Sequence, residues 1–137
     1  MPSTTASERY YGTESLGATP GGLAVLALDA LLKCLERAHR GIADADYDRL
    51  MPALEQAQQH LGELLVMLDR TTGSEIATRL AALYAFLMTE LLSIATTMDL
   101  GRLERNTVVV RELREAFAHV ARTEAEPLAR AGADQVA

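Results

Sequence analysis

Apolar side chains recur every three or four positions in four successive stretches of the chain, which is the spacing of one face of an α-helix. In the third stretch, Gly73 to Asp99, the positions Ile76, Leu80, Leu83, Leu87, Leu91, Ile94 and Met98 form the inner stripe. Ala77, Ala81, Tyr84, Met88 and Ala95 widen it past the narrow seam of a two-stranded coiled coil, so this helix must touch more than one neighbour. Thr72 or Ser74 can cap its start, Glu75 suits the positive end of the helix dipole, and Gly73 permits a sharp turn beforehand.

The first stretch opens at Thr19, a capping residue, followed by Pro20 where the missing amide costs nothing. It runs to about Arg40, apolar almost all round from Leu23 to Leu35 and two-faced afterwards, so its early turns should be the most buried in the protein. Gly41 and the Asp44 to Asp46 segment break the pattern, and a second helix follows to about Asp69 with Leu50, Leu54, Ala57, Leu61, Leu64, Leu65 and Leu68 as its stripe. Pro52 implies either a start near Met51 or a kink. After a tight connection from Asp99 to Arg102, Leu103, Val110, Leu113, Phe117 and Val120 line a fourth helix ending near Thr123.

Four helices of about twenty residues joined by short connections return on themselves, which predicts an all-α fold, an antiparallel up-down four-helix bundle. Residues 18–123 form the bundle, 1–17 a mobile N-terminal arm without periodicity, and 124–137 a C-terminal tail of at most one further turn. Tyr10, Tyr11 and Leu16 are the large apolar groups of that arm: either they lie across a groove of the bundle or the arm has no role.

At 137 residues the chain is one domain by length. Leu and Ala supply most of an apolar content of 49%, and the absence of Trp among so few aromatics suits helices better than a β-sandwich. The net charge of −6 argues against nucleic acid or an anionic membrane as partner, since both reward a basic surface. Cys34 is the only cysteine, so no internal disulfide forms, and its apolar neighbours make it a small core residue. No apolar leader opens the chain, and its most apolar run, Leu23 to Leu32, is interrupted by Asp29, so a soluble cytoplasmic protein without membrane insertion is expected.

Candidate chemistry is sparse. Di-iron bundles need two Glu-x-x-His pairs and two further glutamates, whereas only Glu36 and His39 make such a pair, among charged neighbours. Glu115 and His119 read as an exposed pair four residues apart, and His60 has only Glu63 at ligand spacing. Gly21 and Gly22 follow Pro and lack the strand and the Lys-Ser/Thr ending of a phosphate loop. No metal site, cofactor or enzymatic activity is expected. What remains is apolar area on helices one and three beyond what four antiparallel neighbours cover, to be met by the arm, by a second copy, or by an amphipathic segment of another protein.

The block Gly73, Glu75, Ile76, Ala77, Leu80, Leu83, Tyr84, with Phe86 and Leu91 beyond it, resembles the third helix of the flagellar secretion chaperone family FliS. The resemblance extends over residues 10 to 123: Tyr11, Leu16 and the step Thr19, Pro20, Gly21 into an apolar helix; Ala57 and Gln58; Leu64 and Leu68; and the ending Leu113, Arg114, Ala116, Phe117. The chain departs from the family at Gly22, at Ala27 to Ala30, at Phe117 where Trp is common, and in a spacing from Tyr11 to Thr19 one residue short.

The resemblance implies a non-enzymatic export chaperone that binds the disordered C-terminal segment of flagellin and stops it polymerising before type III secretion. Export-apparatus or regulatory proteins are further partners under that reading, and the chaperone is a monomer or weak homodimer. Tyr11, Leu16, Ala77, Ala81, Tyr84 and Met88 are then the expected partner-binding residues, the last four because they are small or adaptable and lie beside the inner stripe. The alternative is a structural bundle that homodimerises through the same surface.

Overall fold

Thr19 opens the first helix as its type predicts: its hydroxyl accepts from Gly22 N at 3.0 Å, and Pro20 occupies the first helical position. A computed structural model describes residues 19–68 and 74–136, apart from the side chains of 128–131 and 133–136. Helix α1 spans Pro20–Ala43, α2 Tyr47–Met67, α3 Glu75–Thr97 and α4 Leu100–Val136. The expected arm, with Tyr11 and Leu16, lies outside the described residues, as do Thr72 and Gly73.

Each connection has its own chemistry. Between α1 and α2, Asp44 N and Asp46 N return to Arg40 O at 2.9 Å and Gly41 O at 2.8 Å, with Ala45 left-handed at φ 51°. Asp46 then caps α2 through Arg49 N at 3.2 Å. Ser74 caps α3 by accepting from Ala77 N at 3.4 Å. At its far end Met98 turns left-handed (φ 55°) with its N–H on Ile94 O, and Asp99 Oδ1 accepts from Arg102 N at 3.0 Å to start α4.

Helices adjacent in the chain are adjacent in space, and α4 closes the ring against α1, so α1 faces α3 across the core in the up-down arrangement. The core is aliphatic: Leu28, Leu31 and Leu35 from α1, Leu50, Leu61 and Leu64 from α2, Tyr84, Leu87, Leu91 and Ile94 from α3, and Leu103 and Val110 from α4 are all essentially fully buried. Cys34 is buried among them. Among the described residues the helix with most buried positions is α1, in keeping with its nearly all-round apolar first half. The backbones of α1 and α4 approach so closely that a Cβ on Gly21 would lie 3.1 Å from Ala121 N and collide with Glu124. Asp29 and Arg114 tie the same two helices at 2.9 Å.

Two boundaries and one buried face differ from the expected ones. The second helix begins at Tyr47 and runs through Pro52, whose missing N–H falls near the helix start and whose ring stands exposed. The fourth helix does not stop near Thr123 but continues through Pro127 to Val136, so the expected tail is helical. Ala125, Leu128, Ala129, Arg130 and Ala131 are all strong helix formers, which outweighs one lost hydrogen bond. The third difference is the buried face of α3, which bears on the site.

Candidate partner-binding surface

Helix α3 is long and apolar enough to cross a membrane, yet only 22% of its most apolar window is buried, and it packs as one member of a bundle. Its packing is lopsided. It lies against α2 and touches α4 more sparsely than any other neighbouring pair touches. The stripe that reaches the core is therefore Ala77, Tyr84, Leu87, Leu91 and Ile94, not one led by Ile76. Ile76 is 71% exposed, and Leu80 and Leu83 are half-covered. Ile76 points the same way as Leu87 and Ile94, but it sits in the first turn of α3 and is exposed there.

This moves the expected binding residues. Ala77 and Tyr84 are buried, while Ala81 and Met88 are half-buried on the flank facing α2, where Gln58 Nε2 donates to Met88 O at 2.7 Å. Tyr84 is part of the core, its hydroxyl without a hydrogen bond among the described residues. Burial pushes its phenol up to about 12. Tyr11 and Leu16 lie outside the described residues.

The open apolar surface lies instead around one end of the bundle, where α1 and α3 begin, α2 ends and α4 passes. Between α1 and α2 a groove of about 600 Å³ is walled by Leu23, Leu26, Ala27, Ala30, Val66 and Met67. Met67 also lines a second cavity of about 180 Å³ with Pro20, Leu64, Leu68, Tyr84, Phe117 and Val120. Glu124 closes that cavity and accepts from Gly21 N at 3.0 Å, a carboxylate from α4 satisfying a free amide of α1's first turn. Beyond it the apolar surface continues on the first half of α3 through Ile76, Leu80, Leu83 and the exposed Phe86.

Sequence reasoning missed Val66, which is 85% exposed, along with Leu23, Phe86 and Val120 as surface groups. The usable signal was an apolar residue standing off its helix's stripe, as Val66 stands off Leu61, Leu64 and Leu68. Several titratable side chains are spent on pairing: Glu36 holds Arg40 at 2.7 Å, His39 meets Glu104 at 3.3 Å, His60 meets Glu63 at 3.4 Å and Glu115 pairs with Arg114 at 3.2 Å. Among the described residues no three His, Cys, Asp or Glu side chains gather to hold a metal.

A helical bundle with apolar surface around one end, and several of its ionisable groups engaged in pairs, has the features of a protein-binding module. The chain matches the family of the flagellar protein FliS over residues 3–124 and belongs to that family, whose members are flagellar export chaperones. No curated protein sequence matches it.

Proposed function

We propose that this chain is a cytoplasmic export chaperone that binds the C-terminal segment of flagellin, prevents its premature polymerisation and holds it ready for type III secretion. The observation that carries the reading is the apolar band at the bundle's end, running from Leu23 and Val66 past Met67 to Phe117, Val120 and Ile76. A band that passes from groove to cavity to open helix face suits an amphipathic segment that folds as it wraps, better than a rigid globular partner. Ala81 and Met88 take part from the α2 side under this reading, and Ala77 and Tyr84 form the floor beneath.

Binding is tested with a peptide of the flagellin C-terminal segment and the full chain, measured by calorimetry. Ile76→Glu and Val120→Glu place charges on residues that are 71% and 45% exposed, so both variants should keep the wild-type circular dichroism. Each should weaken binding by about tenfold through desolvating an unpaired charge. Folded variants that bind like the wild type would remove the band from the interface, and a wild-type chain that ignores the peptide would remove the function.

The arm has a part in the same proposal. Pro20, the first residue of α1, lines the cavity that Tyr84 and Phe117 also line. Tyr11 and Leu16 are the arm's apolar groups, and we propose that they cover the band until the client displaces them. Deleting residues 1–17 should raise the fluorescence of an apolar dye about twofold at unchanged helicity. Equal dye binding by the truncated and full-length chains would show the arm uninvolved.

A further inference from the structure

The seam between α1 and α4 is divided by an ion pair: Asp29 and Arg114 stand across it at 2.9 Å. On one side of the pair lies the cavity of the apolar band. On the other, between the second half of α1 and the first half of α4, runs a separate groove of about 590 Å³. Leu35, essentially fully buried, lies at its floor, with the half-buried Leu32 and Thr107 beside it. Val108 borders the groove and is 49% exposed, a β-branched residue that helices disfavour, with little burial here in return.

The pairs Asp29 with Arg114 and His39 with Glu104 fix the antiparallel register of the two helices, and that register sorts the charges along the groove. Lys33 of α1 and Arg111 of α4 come to one level at the end nearer Asp29, both exposed and neither in an ion pair among the described residues. Two turns of α4 away, about 10 Å, stands Glu104, and Glu36 lies one turn beyond Lys33 on α1. The carboxylates of Glu104 and Glu36 hold His39 at 3.3 Å and Arg40 at 2.7 Å, yet these two glutamate side chains remain 59% and 63% exposed and can accept further bonds. The groove is thus apolar along its floor, with its free cations at one end and its carboxylates at the other.

We propose that this groove docks a short amphipathic helix of a second protein, with the C-terminal end of that helix at Lys33 and Arg111. A trough between two antiparallel helices receives the apolar ridge of a third, and about 10 Å between the charged ends matches about seven helical residues. Direction follows from electrostatics. The last turn of a helix leaves carbonyl oxygens free and carries the negative end of the dipole, which suits two unpaired cations, above all when that turn also bears a carboxylate. Its first turn offers free N–H groups to Glu104 and Glu36. A second copy of this chain would bring groove against groove in a two-fold dimer and fill neither. The Asp29–Arg114 pair parts this groove from the band, so its occupant is independent of the flagellin reading.

Two synthetic peptides of one composition test the proposal on the full chain. Each is a stapled helix of about 12 residues with leucines at i, i+3, i+4 and i+7, the staple making their helicity equal. One carries lysines in its first turn and glutamates in its last, and the other has them exchanged. Calorimetry should show the first binding at least about tenfold tighter than the second. Its binding should shift amide resonances from Leu32 to His39 and from Glu104 to Arg111. Lys33→Glu combined with Arg111→Glu alters exposed side chains, should keep the wild-type circular dichroism, and should invert the preference. Ile76→Glu and Val120→Glu, which alter the band, should bind the first peptide as the wild type does, so that failure of flagellin binding leaves this result standing. Failure of both peptides to bind, equal binding of the two, a preference that survives the double reversal, or shifts confined to the band each overturns the proposal. So does tighter peptide binding after deletion of residues 1–17, which would make the arm the occupant.

Discussion

Gly41→Ala is expected to destabilise the protein by about 2 kcal/mol, whereas the same change at Gly62 stabilises it by about 0.5–1 kcal/mol. Both glycines lie inside helices, where Ala is intrinsically favoured, so propensity alone predicts a gain at each. At Gly62 nothing opposes that gain, because a Cβ there meets open space. At Gly41 a Cβ would lie 2.9 Å from Leu50 Cβ and 3.0 Å from both Leu50 Cα and N, at the tight turn between α1 and α2. The obstacle is backbone, and Leu50 is fully buried, so neither side can yield without opening the most closely packed pair of helices. Chemical denaturation of the two variants beside the wild type checks the pair. A Gly41→Ala protein as stable as Gly62→Ala would mean that the turn relaxes freely.

Alkaline conditions should cost a similar amount through one residue. In the unfolded chain a tyrosine loses its proton near pH 10, while burial pushes Tyr84 up to about 12 in the fold. Below pH 10 both states keep the proton and Tyr84 adds no pH dependence. Between pH 10 and 12 the unfolded state sheds a proton that the folded state retains, so stability falls as pH rises, by about 3 kcal/mol at the upper limit. Tyr84→Phe should abolish this part of the loss. Its cost at neutral pH is small, since the hydroxyl has no hydrogen bond among the described residues to forfeit. Urea midpoints at pH 8, 10 and 11.5 for both proteins provide the measurement, and parallel declines would place the alkaline sensitivity elsewhere.

Helix number, order and topology were legible because apolar periodicity and capping act over a few residues. Thr19, Asp46 and Ser74 do locally what their side chains can do anywhere. The buried face of α3 was not legible in the same way. A stripe read from spacing assumes neighbours along the whole helix, and it assigned Ile76 to the core when α4 touches α3 only sparsely and Ile76 stands exposed. Tyr84 illustrates the converse: an adaptable side chain beside the stripe looked like surface, but α3 packs chiefly on α2 and Tyr84 is the largest fully buried side chain among the described residues. Pro127 was overread, since it removes one donor without ending its helix, while Pro52 stands inside α2, which rules out the start near Met51. The binding surface was legible as an excess of apolar area and not as a place, because its position depends on which helices diverge.

The closure of α4 against α1 also has a consequence on the ribosome. The helix with most buried positions is the first to be made, and one of its two neighbours is the last. Its contacts at Gly21 with Ala121 and Glu124 join residues a hundred positions apart. At roughly 5–20 residues per second, the apolar side of α1 that awaits α4 stays open for about 5–20 s of synthesis. Throughout that interval the nascent α1–α2 hairpin displays Leu28 and Leu35, residues that the finished bundle hides completely. The newly made chain thus passes through the same exposed condition from which its family shields a client.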